Sequence, residues 1–218
     1  MPEYLSMEMT FIQKRITPDF IKDTYRQIIN AGFGFMGGYR WKNGKRLLIK
    51  TTLDEISEWN QARLEERIRL DFPKTEYDDT DGYRQILFKR EGYSEIRGYL
   101  MEYNQFITFE LIVPHDDVLF YNNGVYYKKD KIEPFIKLAQ ALWENGKVDA
   151  IQTELEYDDP TYKFSDMVNG ENIRYRPFAV LPEVLYKKFP TDYFGKARTV
   201  KLSGNGVYIE QTDRIVIK

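Results

Sequence analysis

The residues best able to suggest chemistry fall in two places. Gly32-Phe33-Gly34-Phe35-Met36-Gly37 spells G-x-G-x-x-G, and "LLIK" ends at Lys50 a little further on. His115-Asp116-Asp117, with Asn122 five residues beyond Asp117, reproduces the H-x-D-x-x-x-x-N spacing of a phosphoryl-transfer loop. Together these would cradle phosphates and supply a base. The surrounding pattern denies them the elements they need. A dinucleotide fingerprint requires a strand before the first glycine and a helix after it, so that the helix N-terminus meets the pyrophosphate. Here a helical pattern precedes and a hairpin follows. The kinase reading needs a glycine loop between two strands and a nearby D-F-G, whereas "DYFG" at Asp192 comes far too late and carries an insertion. The glycines read instead as a joint, with Gly32 ending a helix and the others letting the backbone pass close to a neighbour.

Other constellations fail on counting. His115 is the sole histidine, which leaves no multi-histidine metal site; following Pro114 and preceding two aspartates, it is expected in an exposed loop. "YDDTDGY" aligns with a calcium loop through Asp79, Asp81 and Gly82, but then the first ligand position is Tyr77 and the twelfth is Phe88, where a carboxylate is required. No cysteine is present, which excludes disulfides, thiolate metal sites and thiol nucleophiles. No cofactor is expected, and the chain reads as non-enzymatic. An enzyme or small-molecule binder with a site of Tyr, Arg and carboxylates distant in sequence is the alternative; it would show a deep pocket and a strongly perturbed carboxylate.

The 218 residues carry 32 basic and 34 acidic side chains. That balance supplies no basic excess for a nucleic-acid backbone. The charged N-terminal "MPEYLSMEMTFIQKR" does not read as a leader, and no apolar run reaches the ~20 residues of a membrane span. A cytoplasmic protein, with neither nucleic acid nor membrane as partner, is expected.

The elements follow from turn and cap signals. Asn43-Gly44, Asn123-Gly124 and Asn205-Gly206 each lie between strand-forming runs and predict type I′ hairpins, with Asn169-Gly170 as a weaker fourth turn. Thr17-Pro18 opens a helix that Gly32 stops. Thr52 to Glu55 is a capping box opening a second helix to about Leu70. Pro134 starts a third with Phe135, Leu138, Ala139 and Leu142 inward, and "LPEVLYKKF" is a short fourth. "YRQILFKR", "EIRGYLMEY", "QFITFELIV", "VDAIQTELE", "YRPFAVL" and "DRIVIK" read as strands, with Ile107, Phe109, Leu111 and Val113 on one face. The class is therefore α+β, a mostly antiparallel sheet built from hairpins with three main helices and one short one. Pro114 marks the most plausible seam, dividing residues 1–113 from 114–218 if the chain is not one continuous domain.

The stretch "VLFYNNGVYYKKDKIEPFIKLAQALWENGKVDAIQTELEYDDPTY" resembles uncharacterised intracellular bacterial proteins, including immunity-type proteins encoded beside polymorphic toxins. The resemblance covers the C-terminal half and includes no catalytic motif. It implies a stand-alone α+β binding protein, a monomer or small homo-oligomer, whose partner is another protein. The acidic turns at Asp78, Asp79 and Asp81, at Asp116 and Asp117, and at Asp158 and Asp159 are the expected contacts to a basic partner, through steering and complementary charge.

Overall fold

The computed structural model describes residues 3–12, 16–42, 45–70, 83–102, 106–156 and 164–211. In chain order the elements are β1 (Tyr4–Ile12), α1 (Phe20–Asn30), β2 (Gly34–Lys42), β3 (Lys45–Ile49), α2 (Leu53–Arg69) and β4 (Gln85–Lys89). Then come β5 (Ile96–Glu102), β6 (Phe106–Pro114), α3 (His115–Val118), β7 (Leu119–Tyr121), β8 (Val125–Tyr127) and α4 (Lys129–Glu144). The last are β9 (Ala150–Leu155), α5 (Phe164–Asn169), β10 (Phe178–Pro182), α6 (Glu183–Tyr186), β11 (Arg198–Leu202) and β12 (Gly206–Glu210). Ten strands hydrogen-bond in the order β11-β12-β10-β9-β1-β6-β5-β4-β2-β3, while β7 and β8 form a separate two-stranded sheet. The class is α+β with an antiparallel sheet, as the hairpin pattern predicts. Three helices are long (α1, α2, α4); the short ones are α3, α5 and α6, where the sequence suggested one. Residues 10–111 form one compact unit, and residues up to Met9 with those from Ile112 onward form another.

In the first unit α1 begins at Phe20, later than Thr17-Pro18 suggests, and its N-cap Asp19 makes no side-chain bond. The reason lies in α2. Gln61 accepts the Ile21 amide through Oε1 at 3.0 Å and donates through Nε2 to the Thr17 carbonyl at 2.9 Å, so a partner helix does the capping. At the other end Gly32, with φ of 91°, terminates the helix; its amide reaches the Ile29 carbonyl and the Phe33 amide reaches that of Ile28. This is a Schellman closure, which favours glycine because φ is positive. Gly34 then opens β2, and the register against β4 slips between Phe35 and Gly37, a bulge. The G-x-G-x-x-G run is thus a helix stop followed by a bulged strand. α2 opens with the predicted capping box, Thr52 and Glu55 satisfying each other's backbone amides. Tyr25, Phe88 and Phe109 pack ring against ring in the core of this unit.

In the second unit β1 contributes Leu5, Met7 and Met9, every second residue, to the interior. Ala150, Ala179, Leu181, Val207 and Ile209 of the sheet pack with Met167, Ile173, Phe189 and Phe194. α4 starts at Lys129, so Pro134 lies inside the helix and not at its first position. Asn169-Gly170 is the end of α5, not a hairpin turn: Gly170 has φ of 77° and the Glu171 amide returns to the Asp166 carbonyl. The Asn205 hairpin also shifts by one residue. Leu202 pairs with Gly206, and Gly204 and Asn205 carry the positive φ, so Gly206 belongs to the strand. The Asn43-Gly44 turn lies outside the described residues, between the paired Lys42 and Lys45.

Tyrosines with raised phenol pKa values, Tyr193 among them, give the fold an alkaline limit. Burial is the main cause that pushes the phenols of Tyr25, Tyr83 and Tyr208 well above the ordinary value, with Glu210 adding to it at Tyr208. A raised folded pKa means that the unfolded chain releases protons which the native state retains. Stability is therefore complete below pH ~10 and falls above it, by about 1.4 kcal/mol per pH unit for each tyrosine. Urea midpoints should hold steady up to about pH 9 and drop steeply by about pH 11, and Tyr208→Phe should lower that slope. A midpoint unchanged across the upper range would contradict the assignment.

Candidate functional site

The hairpin β7–β8 is the feature that stands out from the sheet. It is introduced by α3, which follows β6 directly at Pro114. His115 anchors that turn. Its amide donates to the Glu3 carbonyl at 2.8 Å and its Nε2 lies 2.6 Å from the Tyr4 carbonyl oxygen. A carbonyl only accepts, so Nε2 carries the proton. Nδ1 lies 3.6 Å from the Glu3 carboxylate. His115 is 3% exposed, which corrects the expected surface loop and gives it the place of a strut.

From this anchor the chain passes through buried Val118 and Leu119 into the hairpin. Leu119 pairs with Tyr127, Phe120 with Tyr126 and Tyr121 with Val125. Asn122, Asn123 and Gly124 form a three-residue connection, Asn123 having φ of 48° and the Asn122 amide bonding the Gly124 carbonyl. It is not the predicted two-residue turn. Phe120 and Tyr126 stack across the strands with centroids 5.3 Å apart and planes 22° from parallel. Phe120 remains 42% exposed and Tyr121 60%. Lys128 closes the base, its amide on the Val118 carbonyl and its Nζ on the Asp116 carbonyl, both at 2.7 Å. Asp116 is exposed and Asp117 half-buried on α3. The hairpin thus carries a stacked aromatic pair, and the helix that introduces it carries Asp116 and Asp117.

Of the predicted contacts only Asp116 and Asp117 can be placed; Asp78, Asp79, Asp81, Asp158 and Asp159 lie outside the described residues. The kinase-like positions have separate duties. Lys50 is exposed after β3, His115 is the strut, and Asn122 opens the hairpin connection. Buried polar side chains are spent on structure. Asn60 binds Tyr25 and Arg84, Thr153 binds both the amide and the carbonyl of Phe178, and the half-buried Arg174 pairs with Glu154 at 2.5 Å. The carboxylates held below the ordinary range have surface causes: hydrogen bonds from Lys22 at Asp54, from Thr52 at Glu55, and from Lys187 and Lys201 at Glu183. Among the described residues no group of three or more His, Cys, Asp or Glu is placed to hold a metal.

Sequence reasoning missed the Phe120–Tyr126 pair. Its signal was "FYNNGVYY" itself, aromatics symmetric about a turn, which become cross-strand neighbours once the register is known.

No protein-family model and no curated protein matches the sequence. Among solved structures the chain is similar to a T6SS protein of Pseudomonas aeruginosa, with a TM-score of 0.41 and 8% sequence identity. That alignment covers 95% of this chain and 68% of the other. It is a likeness of overall trace alone, and no residue role is carried across it.

Proposed function

We propose that this is a non-enzymatic protein-binding module of the bacterial cytoplasm, whose most specific form is an immunity-type protein that neutralises a toxin. The observation that carries the binding reading is the β7–β8 hairpin, with its stacked Phe120–Tyr126 pair and exposed Tyr121. Rigid aromatics lose little conformational entropy on association and are enriched among the residues that dominate interfaces. Asp116 and Asp117, on the turn that introduces the hairpin, favour a partner with a basic contact surface. The toxin-neutralising form rests on the sequence resemblance that begins at Val118 and includes this hairpin.

The test uses the full chain as bait in lysate and secreted material of its own source, then quantifies the retained protein against variants. The expected result is one stoichiometric partner, retained in salt. Phe120→Ala combined with Tyr121→Ala should weaken it by about 2 kcal/mol or more, roughly 30-fold. Asp116→Lys with Asp117→Lys should slow association at low salt. An empty bait, or a partner indifferent to both pairs of substitutions, sinks the reading of this site.

A further inference from the structure

The two ends of the strand order differ. β11 exposes Arg198, Thr199, Val200 and Lys201, with no two large apolar side chains adjacent. β3 ends in Leu47-Leu48-Ile49, with Leu47 45% and Leu48 63% exposed, and no described strand pairs with its outer side. The two leucines alternate across the sheet. Ile49 faces the Gly38 side, against which Ile56 of α2 packs; Leu47 shares that face, and Leu48 is on the other.

Hydrogen-bond parity decides what can sit there. Lys42 and Lys45 are paired with two residues between them, so theirs is a hydrogen-bonded pair, as are Arg40 with Leu47 and Gly38 with Ile49. The backbone groups of Lys45, Leu47 and Ile49 therefore point to β2, and those of Arg46 and Leu48 point outward. Water satisfies such a row when the edge is bare, and an added strand satisfies it while also covering Leu47 and Leu48. The sequence "KRLLI" is complementary to itself when run antiparallel about Leu47. Leu47 then meets Leu47 of the second copy in a non-hydrogen-bonded pair, where side chains are closest. Arg46 and Leu48 exchange bonds with Leu48 and Arg46 of that copy, and Lys45 falls opposite Ile49. No basic residue faces another, whereas a register centred on Arg46 would set arginine against arginine. We propose that β3 is a dimerisation edge, joining two copies of this chain antiparallel about a two-fold axis through Leu47.

The absence of cysteine from the chain makes the test clean. At the axis the Cα separation would be about 4.5 Å, inside disulfide range, whereas two copies of position 48 would lie more than about 7 Å apart. Under mild oxidation Leu47→Cys should convert mostly to covalent dimer, and Leu48→Cys should do so at least about tenfold more slowly, given that distance limit. Sedimentation of the unmodified chain at micromolar concentration should give twice the chain mass. Leu48→Pro removes an outward N–H and leaves the bonds to β2 intact, so it should give monomer. A monomeric unmodified chain, equal cross-linking of the two cysteine variants, or a dimer that survives Leu48→Pro overturns the proposal. The cysteine comparison stands even where the proline variant fails to fold.

Discussion

Asn60→Ala should lower the stability of the fold by about 4 kcal/mol, a large share of the roughly 5–15 kcal/mol that holds a typical domain together. Asn60 is fully buried on α2, a position where its modest helix propensity gives no reason for it. Its reason is the bonds. Nδ2 donates to the Tyr25 hydroxyl at 2.7 Å and to the Arg84 carbonyl at 3.0 Å, and Oδ1 accepts the Arg84 amide at 2.9 Å. One side chain therefore ties α2 to α1 and to the segment entering β4. Alanine removes all three bonds at once and strips the buried Tyr25 hydroxyl of its Asn60 donor, each loss costing about 1–3 kcal/mol. Tyr25→Phe deletes one of the three bonds and leaves one Nδ2 hydrogen of Asn60 without its acceptor, and should cost about 1–3 kcal/mol, less than Asn60→Ala. The pair of variants should be non-additive, the double variant losing less than the sum. Urea unfolding of the four proteins decides it. An Asn60→Ala penalty no larger than that of Tyr25→Phe would show that the Arg84 bonds contribute nothing.

Asn60 also marks where sequence reasoning stops. The capping box of α2 was legible because Thr52 and Glu55 act on each other three residues apart. The run from Ile107 to Val113 was legible because an apolar residue stands at every second position, Ile107, Phe109, Leu111 and Val113. What depended on distant partners was not. Gln61 caps α1 from 40 residues away, and His115 finds the Tyr4 carbonyl across 111. Neither a local period nor a composition rule encodes such pairings. β1 was a different failure. Leu5, Met7, Met9 and Phe11 do alternate, but with Ser, Glu and Thr between them the segment was read only for its charges. Pro134 misled because proline suits a first helical turn; here it stands in the second, its missing amide leaving the Asp130 carbonyl without its usual i+4 donor. Of the candidate site, the hairpin was foreseen from Asn123-Gly124, while its stacked rings and the burial of His115 required the register and β1.

Gly206→Ala should cost about 3 kcal/mol although the backbone there accepts alanine without strain. A Cβ on Gly206 would stand 2.2 Å from Nε1 of Trp143 and 2.4 Å from its Cε2. The indole cannot stay. Its N–H donates to the Ser203 carbonyl at 2.9 Å, closing the connection between β11 and β12, and α4 behind it is fixed by buried Leu138, Ala139 and Leu142. Displacing the ring combines an overpacking penalty of about 1–3 kcal/mol with a lost hydrogen bond of about 1 kcal/mol. Trp143→Ala alone should cost a similar amount through lost burial, about 3 kcal/mol. The informative protein is the double variant. Once the indole is gone the three atoms nearest to the added methyl go with it, and alanine is less costly than glycine in a strand by roughly half a kcal/mol. Gly206→Ala should therefore turn neutral or slightly stabilising in the Trp143→Ala background, a coupling of about 3 kcal/mol between residues far apart in sequence. A penalty that persists without the indole would locate its cause in the β12 backbone, and the glycine would then serve the turn that Asn205-Gly206 first suggested.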